Sequence, residues 1–107
     1  MFLVIDLLYL QDDIKALSDM DIIFSKHAHK QITRRSIDYE TVLMVVLQPD
    51  QIISDNEEPT IVIYQSLIKE NNQLFLLRVF VNRDKCPNVI VTLYKTTKIS
   101  KYYESKI

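Results

Sequence analysis

Residues 60–68 (TIVIYQSLI), 73–81 (QLFLLRVFV) and 89–95 (VIVTLYK) are three runs dense in β-branched and aromatic side chains. Only 69–72 (KENN) and 82–88 (NRDKCPN) separate them. Links this short and polar join neighbouring strands as hairpins, so the three runs predict an antiparallel meander. Side chains alternate across a strand, and the alternation assigns faces. In 73–81, Phe75, Leu77, Val79 and Val81 share one side, and Leu76, Arg78 and Phe80 the other. In 89–95, Val89, Val91 and Leu93 share one side, and Ile90, Thr92 and Tyr94 the other. With the wholly apolar sides turned toward helices, Arg78, Thr92 and Tyr94 gather on the opposite face.

The helices lie upstream. Asp38 can cap a helix in which Tyr39, Val42, Leu43, Val46 and Leu47 recur at helical spacing, with Pro49 ending it. Ser25 can cap a shorter helix over 26–35, whose thin apolar face is Ala28 and Ile32. Residues 21–24 (DIIF) and 51–54 (QIIS) read as short strands, and 55–59 (DNEEP) as a turn. Helices followed by a meander make the fold α+β, with N-terminal helices on one face of a three- to four-stranded antiparallel sheet. Residues 20–107 form one such domain. In the preceding 1–19, Leu3, Leu7, Leu10, Ile14 and Leu17 form a stripe that predicts a helical extension over about 3–18. That stripe needs covering, by the domain or by a second copy in a homodimer. Met20 is an alternative start of translation, and the basic tail 96–107 holds Tyr102 and Tyr103.

Composition excludes several classes. The 107 residues contain no glycine, so the glycine-rich phosphate loops of nucleotide-binding folds are ruled out. Tight turns must rest on Asn, Asp, Pro or Ser. The lone Cys86 cannot form an internal disulfide and suits a reducing compartment. The run MFLVIDLLYL at 1–10 is too short to span a bilayer and lacks a basic leader, so a cytoplasmic protein without a membrane partner is expected. The net charge of −1 is spread unevenly. Residues 26–35 carry +4 and 59–107 carry +5, against −4 over 1–25 and −6 over 36–58. Such blocks are either solvated surface or the makings of a basic face.

Phe24 and Ser25-Lys26-His27-Ala28, then Arg35-Ser36-Ile37-Asp38 and the helix into Leu47-Gln48-Pro49-Asp50, form a recognisable series. Leu77-Arg78-Val79 and Val91-Thr92-Leu93-Tyr94 complete it. Together they resemble the domain-of-unknown-function family numbered 4258, over about 21–95. That family is similar in layout to the RelE and BrnT toxins, ribonucleases of toxin–antitoxin pairs. The resemblance implies a RelE-like fold, RNA as substrate, a small antitoxin or another protein as partner, and metal-independent transesterification without a cofactor. Two positions depart from the family's pattern. Gln31 stands where an arginine is usual, and Ser36 where a glycine is usual.

His27, Gln31 and Arg35 share one helical face. Either His27 carries a proton and Arg35 contacts phosphate, or His27 packs near the helix start while Arg35 ties the helix end to the sheet. His27 and His29 are two apart, point to different sides and make a poor metal pair, so no metal site is expected. Arg34 and Lys30 read as solvated charges. Arg78 lies among Leu76, Leu77, Val79 and Phe80, so it must be paired, with Glu40 or Asp50 as candidates, or face a functional cleft. In the ribonuclease reading His27, Arg78 and Tyr94 are catalytic, and Arg35 and Lys95 bind RNA. The rival is a non-enzymatic domain that engages a protein, which the absence of strong positive charge favours.

Overall fold

A computed structural model describes residues 21–104. The expected 3–18 helix, its stripe, the boundary at 19/20 and the dimer contact all fall outside the described residues. The elements are β1 (Ile22–Phe24), α1 (Lys26–Arg35), α2 (Tyr39–Leu47), β2 (Gln51–Ser54), β3 (Ile61–Glu70), β4 (Gln73–Asn82), β5 (Asn88–Thr96) and a helical turn α3 (Ile99–Tyr102). No described helix is long and apolar enough to cross a membrane.

The fold is α+β, with helices preceding a meander, but the sheet differs from expectation. It has five strands in the order β1-β5-β4-β3-β2, and it is mixed. Strands β2 to β5 pair antiparallel, whereas β1 runs parallel to β5, with Phe24 opposite Ile90. Backbone bonds from Asn88 N to Asp21 O (2.9 Å) and from Ser25 N to Ile90 O (3.0 Å) fix that edge. β1 and its partner are more than sixty residues apart, so no local turn signal announces the pairing.

Without glycine, left-handed backbone falls on Asn71 (φ 51°), Asn72 (φ 64°) and Ser36 (φ 52°). The two asparagines close the β3–β4 hairpin, where both central residues need positive φ and asparagine tolerates it. Ser36 ends α1. Its N–H donates to Thr33 O, and that of Ile37 reaches back to Ile32 O (3.0 Å). This is the bond pattern that glycine normally serves at a helix C-terminus, with Ile37 and Ile32 both buried beneath it. Replacing Ser36 by Gly should therefore stabilise the domain by up to about 1 kcal/mol, part of the relief being offset by a freer unfolded chain. A urea unfolding midpoint that fails to rise would show that Ser36 carries no strain.

At the other end of α1 the Ser25 hydroxyl accepts from Ala28 N (3.0 Å) and donates to Val91 O (3.0 Å), joining the helix cap to the sheet. Asp38 stands at the N-cap position of α2 with extended backbone, but its side chain makes no capping bond there. Ala28 and Ile32 of α1, and Val42 and Val45 of α2, pack on Leu77, Val79 and Val81 of β4 with Ile90 and Leu93 of β5. Val45 joins this core beside the expected Val42, while Tyr39 is 41% exposed.

The facing of β4 is as the alternation predicts, and that of β5 is only half so. Phe80 pairs with Thr92 and Val81 with Ile90, leaving Val91 without an opposite residue. This β-bulge reverses the alternation, so Leu93 and Ile90, three apart, both enter the core. Val91 instead presents its carbonyl to Ser25.

Candidate functional site

The sheet's second face carries the polar cluster. β3 sets Ile63, Gln65 and Leu67 opposite Phe80, Arg78 and Leu76 of β4, and β5 sets Tyr94 opposite Arg78. Ile63 and Leu76 are buried around the cluster, which seats Gln65 (0% exposed) and Arg78 (7%) between apolar neighbours. Nε of Arg78 donates to Gln65 Oε1 at 2.8 Å, and Nη1 donates to the Tyr94 hydroxyl at 2.8 Å. The chain then returns through α3 and lays the Tyr102 ring 4.3 Å from the guanidinium carbon. Phe80 and Tyr94 flank the same cation at 5.4 and 5.8 Å, so it is surrounded by aromatic rings.

Among the described residues no carboxylate forms an ion pair with Arg78; the salt bridge found there joins Lys95 to Glu70. Neither sequence candidate reaches it. Glu40 is on α2, across the sheet, and Asp50 accepts from Leu67 N (2.8 Å) at the β2 entry. Among the described residues the Arg78 guanidinium is therefore held by neutral acceptors and rings alone. Nearby, the Tyr102 hydroxyl is held below the usual phenol value of 10.0. The Lys101 ammonium beside it is the main cause, followed by the Tyr94 hydroxyl, with the charges of Lys101 and Arg78 adding to them.

The remaining expected site residues are dispersed. His27 and Arg35 are exposed on α1, which covers the Leu77 face, so the sheet separates them from Arg78 and Tyr94. Lys95 pairs opposite Leu77 and leaves the sheet on that same helix side. There its Nζ meets Glu70 Oε1 at 2.6 Å and lies 4.9 Å from the Phe75 ring centre. Hence Arg78 and Tyr94 come together, and His27, Arg35 and Lys95 do not join them. His29 is exposed yet shares a hydrogen bond with Tyr39, whose ring packs on Phe24 at 5.1 Å. Among the described residues no three His, Cys, Asp or Glu side chains gather as metal ligands.

Sequence reading passed over Gln65 and Gln51 and gave Tyr102 no role. A signal for Gln65 was present, since it interrupts the apolar series Ile61, Ile63, Leu67 on its face as Arg78 interrupts that of β4.

Residues 24–95 match the family described as a domain of unknown function, DUF4258. The chain belongs to that family. The DUF4258 match runs from Phe24, the last residue of β1, to Lys95 in β5 and so includes Arg78, Tyr94 and Gln65, whereas Tyr102 follows it. No match was found among curated proteins or among solved structures.

Proposed function

We propose that this DUF4258 domain is a toxin-like ribonuclease of RelE/BrnT type, cleaving RNA by metal-independent transesterification at the Arg78 face. One observation carries the reading: a strand-borne guanidinium, fixed by Gln65 and Tyr94, with no carboxylate partner among the described residues. A cation held this way is ready for an anion such as a phosphodiester, and needs no reorganisation when charge develops. The 2′-oxygen attacks the adjacent phosphorus while its proton passes to the Tyr102 phenolate. The phosphorus–O5′ bond breaks, and the leaving oxygen takes a proton from the Tyr94 hydroxyl. Arg78 balances the charge on the phosphorane. His27 takes no part in this centre, and the basic α1 surface with Arg35 serves at most to steer RNA.

The role of Tyr102 gives the activity a pH signature. Only the phenolate accepts a proton, so kcat/KM should rise with pH, the rise being centred below the ordinary phenol value of 10.0. Tyr102→Phe should lower kcat/KM by about 10²- to 10⁴-fold and abolish the rise. A Tyr102→Phe profile parallel to wild type would assign the base elsewhere. The primary assay is growth inhibition on induced expression, with RNA cleavage by the purified chain in chelator measured beside it. Failure of both removes the ribonuclease reading.

A second reading, a non-enzymatic domain that binds a protein partner, is favoured by the 7% exposure of Arg78, which suits a structural residue. It predicts a folded wild type without cleavage and a stability loss on removing Arg78.

A further inference from the structure

Gln65 and Gln51 form a relay whose polarity Arg78 dictates. A guanidinium only donates, so the Gln65 oxygen must face Arg78 Nε (2.8 Å). The Gln65 amide nitrogen must then point away, and it donates to Gln51 Oε1 (2.8 Å) and to the backbone oxygen of Tyr102 (3.1 Å). This in turn orients Gln51, whose oxygen also accepts from Glu104 N (3.0 Å) while its nitrogen donates to Glu104 O. Both glutamines thus grip the C-terminal segment by main-chain groups alone, at Tyr102 and Glu104, on either side of Tyr103. The Tyr102 ring is left over Arg78.

We infer that Gln51 and Gln65 are positioning residues: a main-chain clamp that holds the C-terminal segment across β2 and β3 and thereby builds Tyr102 into the Arg78 site. The catalytic value of the clamp rests on the ribonuclease reading, but its existence does not. A side-chain amide that satisfies both the N–H and the C=O of one residue does the work of a strand neighbour. It fastens a segment whose helix is only one turn long and could not hold itself. The polarity argument also distinguishes two substitutions of similar size. Gln65→Glu keeps an acceptor for Arg78 but replaces the donor to Gln51 and Tyr102 with a second acceptor, so it should open the clamp while leaving Arg78 partnered. Gln51→Ala removes the grip on Glu104 directly at a half-buried position.

The test uses the full chain and three readouts. Limited trypsin digestion follows cleavage after Lys101. Ultraviolet titration of phenolate absorbance, with Tyr102→Phe as the difference reference, follows the Tyr102 hydroxyl. RNA cleavage follows function. Both variants are expected to speed cleavage after Lys101 at least about tenfold and to move the Tyr102 titration upward by the part that Tyr94 and Arg78 contribute, Lys101 staying beside it, with an unchanged circular dichroism spectrum. If both readouts match wild type in both variants, the clamp does not exist. If the segment loosens but both variants cleave RNA as fast as an active wild type, Gln51 and Gln65 are not positioning residues. If the segment loosens and the wild type cleaves no RNA, the clamp stands and the ribonuclease reading falls. Should Gln65→Glu fail to fold, Gln51→Ala alone decides.

Discussion

Leu77→Ala is expected to lower the unfolding free energy by about 2–5 kcal/mol. Leu77 is wholly buried at the centre of β4, in the core that Ala28 and Ile32 of α1 and Val42 and Val45 of α2 share with Val79 and Leu93. Truncation removes three carbons from a site walled by strands and helices that cannot collapse together, so the lost transfer energy and the cavity add. A domain of this size commonly has a total stability of only about 5–15 kcal/mol, so the variant should be close to its folding limit. Urea unfolding is the measurement. A loss below about 0.5 kcal/mol, the scale of surface substitutions, would mean that Leu77 does not face the helices.

The second large effect is on activity. Arg78→Lys should reduce RNA cleavage by about 10²- to 10³-fold, the range for removing one oriented charge stabiliser, while the chain remains folded. Lysine keeps the charge but not the planar fork, and it cannot donate to both Gln65 and Tyr94 in the geometry of Arg78. Arg34 and Lys30, exposed on α1, are the controls. Their replacement should weaken cleavage modestly, and added salt should erase the difference because exposed charges are screened over about 8 Å at physiological ionic strength. A folded Arg78→Lys protein as active as wild type would move the chemistry away from this face, leaving His27 with Arg35 on α1 as the next pair to remove. A large melting shift in place of an activity loss would assign Arg78 to structure.

What was legible in the sequence follows the range of each signal. Alternation within 73–81 placed Leu77, Val79 and Val81 in the core and Arg78 on the far side, because the side on which a residue leaves a strand depends only on its neighbours in that strand. Ser25 was readable as a cap for the same reason, since the hydroxyl and the N–H it serves are three residues apart. The same local rule misplaced Ile90 and Val91. The bulge that reverses β5 arises in pairing with β4, and it is marked by no glycine or proline at that point. Lys95, expected to bind RNA, pairs opposite Leu77 and so leaves β5 on the helix side, away from Arg78.

The sequence by itself therefore determined the α+β class, the two helices and the Ser25 cap of the first, the meander, and the isolation of a cation in an apolar strand. Tertiary structure alone decided that β1 enters the sheet parallel to β5 and that His27 and Arg78 lie on opposite sides of it. It also supplied Arg78 with glutamine and tyrosine partners in place of Glu40 or Asp50, and carried Tyr102 from the tail onto the guanidinium. The reason is physical. Periodicity records which side each residue takes within its own element, a matter of backbone geometry over a few residues. Which elements meet depends on hydrogen bonds and contacts between segments tens of residues apart, satisfied only once the whole sheet has closed.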